Sequence, residues 1–480
     1  MQYLSTRGQS APVSSAQAVV QGLAPDGGLY MPQSLPAFDA SACLSMDPYA
    51  MATAIAASFL PDIPNMEQLV RRAYTGKFAA KDLTPTVTAG PFTVLELFHG
   101  PTSAFKDVAL SMLPQLLTAA RQQTGLAEDI LILTATSGDT GKAALEGFKD
   151  VDGIKICVFY PQGGVSKVQR AQMVTQAGSN VTVCAVEGNF DDAQTGVKQI
   201  FSSCRKVRAG SLSSANSINI GRLVPQILYY FKAYRDLLDR GTVAMGQEVN
   251  FSVPTGNFGD ILAGYLAKRL GLPVGKLICA SNANNILTDF IHTGIYDRRR
   301  PLYKTQSPSM DILVSSNLER LLYLLSGDSG LVRTLMSQLS EEGHYTVSKE
   351  LLEKIQAEFW AGYCDDARAR ATIGKVWAHH RYLCDPHTAS GWAVAEDYVN
   401  QTGDSRTMVV LSTASAYKFP AAVLDALGQE KTADEFDQMV QLQALTGWPI
   451  PANLRDLRDL PERHTGVIAK EAMLDFVRGL

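Results

Sequence analysis

The feature that most constrains the fold is an alternation of two kinds of apolar segment between residues 100 and 280. Short continuous runs rich in β-branched residues predict strands covered on both faces, at 130–135, 154–160, 181–186, 249–253 and 276–280. Longer runs with helical spacing separate these strands, for example 189–203 and 225–238. Strands that alternate with helices predict a parallel sheet and an α/β fold. A further strand at 407–411 follows a mostly helical region, 330–380, in which Phe359 is assigned to a helix.

Composition narrows the function classes. The 480 residues include 43 Lys and Arg against 47 Asp and Glu, and this acidic balance predicts no binding to nucleic acid. We expect no membrane span, because no apolar run approaches about 18 residues. The start of the chain does not resemble a secretory signal. The seven cysteines contain no C-x-x-C pair, and no histidine spacing suggests a metal site. We therefore expect a cytoplasmic protein without disulfides or metal.

A lysine inside an apolar stretch is the first candidate for chemistry. Lys106 lies in FHGPTSAFKDVAL, at what the pattern predicts to be the entry to a helix. One interpretation is a surface lysine whose stem covers apolar residues. The other is an amine of lowered pKa that acts as a base or forms a Schiff base.

Two turns after predicted strands are candidate anion sites, because helix N-termini and glycine-rich turns present backbone N–H groups. The first is TATSGDTGK at 134–142, which lacks the spacing of a nucleotide P-loop. The second is VPTGNFGD at 253–260, where Gly256 and Gly259 allow close approach to an anion. A simple helix cap and an ordinary turn remain the respective alternatives.

A third polar segment, SSANSINIGR at 213–222, leads into a predicted helix. Its Asn216, Ser217, Asn219 and Arg222 suit a second anion, although ordinary loop polarity explains them equally well. His99 and His387 could line a pocket or have a structural role.

The motifs in combination resemble those of the threonine synthase family, in its longer class from fungi and many bacteria. HGPTSAFKD, TATSGDTG, NSINIGR, PTGNFGD and LSTA occur in this order, and YLSTRG and SPSMDILVSSNLERL are also similar. The resemblance covers about residues 1–420. It implies a fold-type-II pyridoxal 5′-phosphate enzyme (tryptophan synthase β-like), with two α/β domains and an N-terminal accessory domain.

The resemblance also implies site residues. Lys106 would form the Schiff base, Asp139 would lie beside the ring hydroxyl of the cofactor, and Thr413 would face its pyridine nitrogen. The cofactor phosphate would be held by Gly256, Asn257, Phe258 and Gly259. The substrate carboxylate would be bound by Thr136, Ser137 and Thr140, and the substrate phosphate by Asn216, Ser217, Asn219 and Arg222.

The implied reaction converts O-phospho-L-homoserine and water to L-threonine and phosphate by γ-elimination and β-addition of water. The alternatives are an O-phosphohomoserine phospholyase, a related dehydratase and a non-catalytic relative. One departure concerns the late family motif T-A-H-P-A-K-F, which here reads TASAYKF at 413–419. The loss of its histidine and proline affects the pocket near Ser415.

The predicted organisation has four parts. They are an N-terminal accessory domain (1–95), a large cofactor-binding domain (96–128 and 223–425, with a helical insertion at about 330–380), a small domain (129–222) and a helical tail (426–480). The expected partner is a small molecule, and the protein would be a monomer or a homodimer.

Overall fold

Two six-stranded sheets dominate the structure, a computed structural model that describes residues 1–136, 138–204 and 206–480, without the side chains of Asp191 and Ser202. Its strands are β1 (Gln2–Ser5), β2 (Val13–Ser14), β3 (Tyr30–Pro32), β4 (Thr86–Ala89), β5 (Phe92–Glu96), β6 (Ile130–Ala135), β7 (Ile154–Pro161), β8 (Val181–Glu187), β9 (Lys206–Val207), β10 (Gly210–Ser213), β11 (Val249–Pro254), β12 (Val274–Ser281), β13 (Ile295–Asp297), β14 (His344–Thr346), β15 (Phe359–Tyr363), β16 (Met408–Ser412) and β17 (Val467–Ala469).

The helices cover the sheets and connect their strands. They are α1 (Ser15–Gln21), α2 (Ala40–Leu44), α3 (Pro48–Phe59), α4 (Met66–Tyr74), α5 (Lys106–Gln123), α6 (Asp139–Phe148), α7 (Lys167–Val174), α8 (Phe190–Ser203), α9 (Ile220–Leu223), α10 (Ile227–Asp239), α11 (Gly259–Arg269), α12 (Ile286–Thr293), α13 (Leu318–Ser326), α14 (Ser329–Glu341), α15 (Lys349–Glu358), α16 (Asp366–His380), α17 (Pro386–Thr402), α18 (Pro420–Ala426), α19 (Glu435–Thr446), α20 (Ala452–Arg455) and α21 (Met473–Gly479). In the part of the chain that the structure describes, none of the helices has the length and apolarity needed to cross a membrane.

The first sheet has the order β17-β8-β7-β6-β10-β9. All neighbours in it are parallel except β9, which pairs antiparallel with β10. Strands β6 and β7 are almost entirely buried, because helices cover both faces of the sheet.

The second sheet has the order β15-β12-β11-β16-β5-β4. Here only β4 is antiparallel, to β5 at one edge. The N-terminal segment adds a small antiparallel sheet, β2-β1-β3, and β13 and β14 form an antiparallel pair. The predicted α/β fold with parallel sheets and an N-terminal extra layer is therefore confirmed.

The six strands predicted from apolar runs are all confirmed, and each differs from its predicted bounds by at most two residues. Four regions differ from the sequence prediction. Strand β15 begins at Phe359, which the helical spacing had assigned to a helix, because it pairs with β12 as the edge strand. Strand β14 also lies in the region predicted to be helical. Strands β4 and β5 belong to the second sheet, although the boundary at 95 assigns most of them to the N-terminal domain. The predicted helical tail contains β17, which extends the first sheet beside β8.

Candidate active site

Lys106 is the first residue of α5 and is only 8% exposed. Its Nζ donates a hydrogen bond to Ser309 Oγ at 3.0 Å. Burial lowers the pKa of Lys106 to about 8, although the carboxylate of Asp139 opposes this shift. The interpretation as an exposed surface lysine is therefore wrong, and burial makes the amine easier to deprotonate than a lysine in water.

The turn before Lys106 is organised by the next residue, Asp107. Its carboxylate accepts hydrogen bonds from the backbone N–H and the hydroxyl of Thr102, within the same turn. A Cβ on Gly100 would lie 2.4 Å from Asp107 Cβ, so this position requires glycine. Burial raises the pKa of Asp107 to about 6, against the hydrogen bonds from Thr102.

The turn is joined to the end of β16, which brings Thr413 beside Lys106. Phe105 N–H donates to Thr413 O at 2.8 Å, and Ser415 N–H donates to Ser103 O at 3.1 Å. Between these bonds, Ala104 and Ala414 form an isolated antiparallel bridge. Among the described residues, no protein atom is hydrogen-bonded to the Thr413 hydroxyl, which leaves it available to a ligand.

Asp139 begins α6 and is the centre of a buried charge cluster. Its Oδ2 lies 3.9 Å from Lys106 Nζ, and its Oδ1 lies 2.6 Å from Lys418 Nζ. Ser309 Oγ, which accepts from Lys106, also donates to Asp139 Oδ2 at 3.1 Å. Burial by itself would raise the pKa of Asp139, but the ammonium groups of Lys418 and Lys106 hold it well below its usual range. The carboxyl group is therefore ionised.

The glycine-rich turn at 256–259 connects β11 to α11. Phe258 has φ of 60°, a left-handed conformation that turns the backbone into the helix. Within the described residues, the N–H groups of residues 256–259 donate to no protein oxygen. A Cβ on Gly256 would lie 2.6 Å from Ser309 O. The turn therefore presents free N–H groups in a space too narrow for a side chain, which suits an anion.

The turn at the end of β6 is tightly folded around Thr136. The Thr136 hydroxyl accepts hydrogen bonds from Gly138 N–H and Gly141 N–H, at 3.0 and 2.9 Å. Thr140 lies half-buried in the first turn of α6. Ser137, which the resemblance assigns to the substrate carboxylate, lies outside the described residues.

The polar segment before α9 divides into two groups. Asn219 is the cap of α9, where its Oδ1 accepts from Gly221 N–H and its Nδ2 donates to Val19 O. Both polar groups of this buried side chain bond the backbone, so a substrate-binding role for Asn219 is not retained. Asn216 and Ser217 are half-buried, and Asn216 Oδ1 accepts from the Thr134 hydroxyl.

Arg222, in contrast, carries a free donor. It is 5% exposed and its Nη1 donates to Ala215 O, but its buried Nε has no hydrogen-bond partner among the described residues. Burial lowers the pKa of Arg222 to about 10, and its charge in turn lowers the pKa of Lys106. A buried guanidinium with an unused donor fits an anionic ligand.

Sequence reasoning missed three residues of this site: Lys418, Ser309 and Gln169. Gln169 Nε2 donates to Asp139 Oδ1 at 3.0 Å. Ser309 lies in the quoted SPSMD stretch and Lys418 in the late motif TASAYKF, but their partners are 170 and 279 positions away in the chain. His387, whose role was left open, belongs here too, since its Nε2 accepts from Ser309 N–H and its Nδ1 lies 2.6 Å from Asp385.

Comparison with models of known protein families first shows the class of protein to which the chain belongs. The family model described as pyridoxal-phosphate dependent enzyme matches residues 80–414, which include both six-stranded sheets except β17. The chain is therefore a fold-type-II pyridoxal-phosphate-dependent enzyme. Two more models match on either side, threonine synthase N terminus at 2–74 and threonine synthase, C-terminal at 388–477.

Similar proteins and solved structures then show the family to which the chain belongs. Threonine synthase of Pseudomonas aeruginosa is 39% identical, over 97% of this chain and 95% of that protein. The crystal structure of PLP-bound threonine synthase from Brucella melitensis is 41% identical, with a TM-score of 0.88, and covers 100% of this chain and 99% of that one. The yeast threonine synthase structure has a TM-score of 0.89 at 33% identity, covering 99% and 98%. The chain belongs to the threonine synthase family.

A longer relative also matches. Threonine synthase-like 1 of Macaca fascicularis is 40% identical over 86% of this chain, but this match spans only 58% of that protein.

The residues present fit the cofactor of this class. Free N–H groups at 256–259 suit its phosphate, and the space that a Cβ on Gly256 would fill is available to it. Lys106 has a buried amine, the kind of group that reacts with its aldehyde. Pyridoxal 5′-phosphate is therefore the cofactor for which this site is built.

Proposed function

We propose that the chain is a threonine synthase, a carbon–oxygen lyase that converts O-phospho-L-homoserine and water to L-threonine and phosphate. The observation that carries this proposal is the buried Arg222, whose free Nε lies in a segment separate from the 256–259 turn. The enzyme can thus bind a second phosphate beside that of the cofactor. A dehydratase that acts on serine or threonine has no need of this second anion site.

The proposed cofactor contacts follow from the site. Lys106 would hold the cofactor covalently, and the N–H groups of Gly256, Asn257, Phe258 and Gly259 would bind its phosphate. Asp139 would lie beside its ring hydroxyl, and the free hydroxyl of Thr413 would face its ring nitrogen. When bound, pyridoxal phosphate supplies an electron sink for the pair released at Cα of the substrate.

The proposed proton transfers use the Lys106 amine. It removes protons from Cα and Cβ of the substrate. One of them is delivered to Cγ after the phosphate has left that carbon, and the other leaves with the phosphate as hydrogen phosphate. Water then adds its hydroxyl group at Cβ and its proton returns to Cα, so that the atoms of substrate and water are all accounted for. The lowered pKa of Lys106 supports this role, because only an unprotonated amine can accept the first proton and burial makes loss of its proton easier.

The substrate is bound by its two anionic ends. We assign its carboxylate to Thr136, Ser137 and Thr140, as the resemblance implies, and its phosphate to Asn216, Ser217 and Arg222. Arg222 stabilises the charge that builds on the departing phosphate. The start of α6 and the 256–259 turn are both next to Ser309, because Ser309 Oγ donates to Asp139 and Ser309 O lies beside Gly256. Closer approach of these two parts of the chain around the substrate would exclude bulk water from the reaction.

Product analysis tests the proposal. Purified protein with pyridoxal phosphate is incubated with O-phospho-L-homoserine, and threonine, 2-oxobutyrate and phosphate are measured together. We expect threonine and phosphate in equal amounts. Lys106→Ala should abolish turnover and covalent cofactor attachment. The matched control is Lys232→Ala, because Lys232 is a buried lysine that pairs with Asp236 in α10, outside this site.

The other outcomes identify the alternatives. Equal amounts of 2-oxobutyrate, ammonia and phosphate would indicate a phospholyase, and turnover of serine or threonine alone would indicate a dehydratase. Cofactor attachment without any turnover would indicate a non-catalytic relative. Full turnover by Lys106→Ala would overturn the role of Lys106.

The organisation into domains is also a proposal. We infer the four parts that the sequence predicts, an N-terminal accessory domain (1–95), a large cofactor-binding domain (96–128 and 223–425), a small domain (129–222) and a C-terminal segment (426–480). The first boundary is moved to before Thr86, because β4 and β5 pair within the second sheet. Strands β6, β7, β8, β9 and β10 of the first sheet support the small domain. We further propose a cytoplasmic location, supported by seven free thiols, and a monomer or homodimer.

A further inference from the structure

Lys418 is a second lysine in the site, and the proposed reaction gives it no role. It ends the short 3-10 turn Ala416–Lys418 after β16 and is completely buried. Its Nζ lies 2.6 Å from Asp139 Oδ1 and also donates to Thr102 O at 3.2 Å. A lysine so deeply buried is rare unless its charge is paired.

The two oxygens of Asp139 have different partners. Oδ1 is bonded by Lys418 and by Gln169. Oδ2 is bonded by the Ser309 hydroxyl, and Lys106 Nζ lies farther away, at 3.9 Å. Lys106 therefore contacts this carboxylate mainly through Ser309, while Lys418 forms the direct ion pair.

This arrangement matters because a buried carboxylate beside an amine favours the protonated amine. Asp139 would hold a proton on Lys106 if it had no other cation nearby. We propose that Lys418 is a positioning residue that neutralises Asp139, so that the Lys106 amine loses its proton more readily for attachment of the cofactor. The proposal rests on the assignment of Lys106 as the amine that holds the cofactor.

The charges that face Lys106 act in the direction this proposal requires. Burial is the largest influence and lowers the pKa of Lys106; Asp139 and Asp107 raise it, and Arg222 and Lys418 lower it. Removal of Lys418 would take away the cation paired directly with Asp139, so that Asp139 would raise the pKa of Lys106 more strongly. Removal of both Lys418 and Asp139 would take away one charge that lowers the pKa of Lys106 and one that raises it, so this pKa would return toward its wild-type value.

The test measures the pH dependence of cofactor attachment in the full chain after its cofactor has been removed. Pyridoxal phosphate is added between pH 6 and 10, the rate of appearance of visible absorbance is recorded, and borohydride reduction with peptide mass analysis assigns it to Lys106. The variants are Lys418→Met, Asp139→Asn, the double variant and the conservative Lys418→Arg. The readout is the pH midpoint, which a merely structural role of Lys418 would not change.

We expect a wild-type midpoint near pH 8, as for the amine of Lys106. In Lys418→Met the midpoint rises by about one unit or more, so attachment at pH 7.5 slows roughly tenfold and recovers at high pH. The double variant returns the midpoint toward that of the wild type, and Lys418→Arg keeps it unchanged.

Two results would overturn the proposal: an unchanged midpoint in Lys418→Met, or a raised midpoint that persists in the double variant. If Lys418→Met does not fold, the pH midpoint of Lys418→Gln is compared with that of the double variant Lys418→Gln/Asp139→Asn in the same way. Failure of the wild type to attach the cofactor at Lys106 would instead contradict the proposed function.

Discussion

At the residue scale, the site requires a glycine at a position where no side chain fits. Gly256 lies in the glycine-rich turn at 256–259, which we call the anion cradle. A Cβ at this position would approach Ser309 O to 2.6 Å. Ser309 is itself bonded to Lys106 and Asp139 through its hydroxyl. A methyl group at position 256 would therefore displace the segment that connects the cradle to the reactive amine.

We predict that Gly256→Ala lowers the affinity for pyridoxal phosphate by at least about tenfold, which corresponds to about 1.4 kcal/mol. Gly374→Ala is the matched control, because its Cβ would meet Ala426 O at 2.7 Å, a similar clash outside the site. Absorbance titration with the cofactor measures both variants. The prediction fails if the affinity for pyridoxal phosphate falls by the same factor in both variants, since the effect would then reflect general destabilisation.

At the element scale, helix α13 connects three separate parts of the chain to the site through Arg320. Its guanidinium donates to Tyr30 O in β3, to the backbone oxygens of Ser217 and Ile218, and to Asn317 Oδ1. Asn317 in turn donates to Asn257 O in the anion cradle. One buried side chain thus holds the N-terminal sheet, the proposed substrate segment and the cofactor cradle together.

We predict that Arg320→Met lowers the free energy of unfolding by about 3 kcal/mol, because several buried carbonyl oxygens lose their donors. The KM for O-phospho-L-homoserine should also rise about tenfold, since Ser217 is no longer held. Denaturant unfolding and steady-state kinetics measure the two effects. Arg478→Met, an exposed arginine of α21, is the control and should change neither. An unchanged KM would show that Arg320 has only a structural role.

At the scale of the whole molecule, the C-terminal segment contacts both sheets. Strand β17 pairs with β8 in the first sheet, while Phe436, Met439 and Leu442 of α19 are buried in a core formed with the second sheet. Between them, Asn453 donates to Pro101 O at 2.8 Å and is bonded to the Ser103 hydroxyl. The segment therefore supports the turn that precedes Lys106.

This turn includes Ser103, whose φ of 59° is uncommon for a residue with a side chain. We predict that Asn453→Ala lowers the free energy of unfolding by about 1–2 kcal/mol and reduces kcat severalfold, while the cofactor remains attached. Chemical unfolding, turnover and hydrogen exchange of residues 101–105 provide the measurements. Asn400→Ala, at an exposed position near the end of α17, is the control. Unaltered exchange in the turn would contradict the prediction.

The strands could be predicted because burial on both faces leaves continuous apolar runs, such as 130–135 and 249–253. Phe359 was assigned to the wrong element because the helical spacing before it continues to that residue, and only pairing with β12 makes it part of a strand. Lys106 and the 256–259 turn were recognisable because each lies within one short motif.

The sequence by itself determined the class of fold, the order of the motifs and the family that they resemble, because these depend on periodicity and on residues close together in the chain. Only the tertiary structure decided which charges meet. Asp139, Ser309 and Lys418 come from three separate segments, and their ion pair and hydrogen bonds exist only after both sheets have formed. Electrostatic interactions depend on distance and burial, and neither can be read from positions that lie hundreds of residues apart.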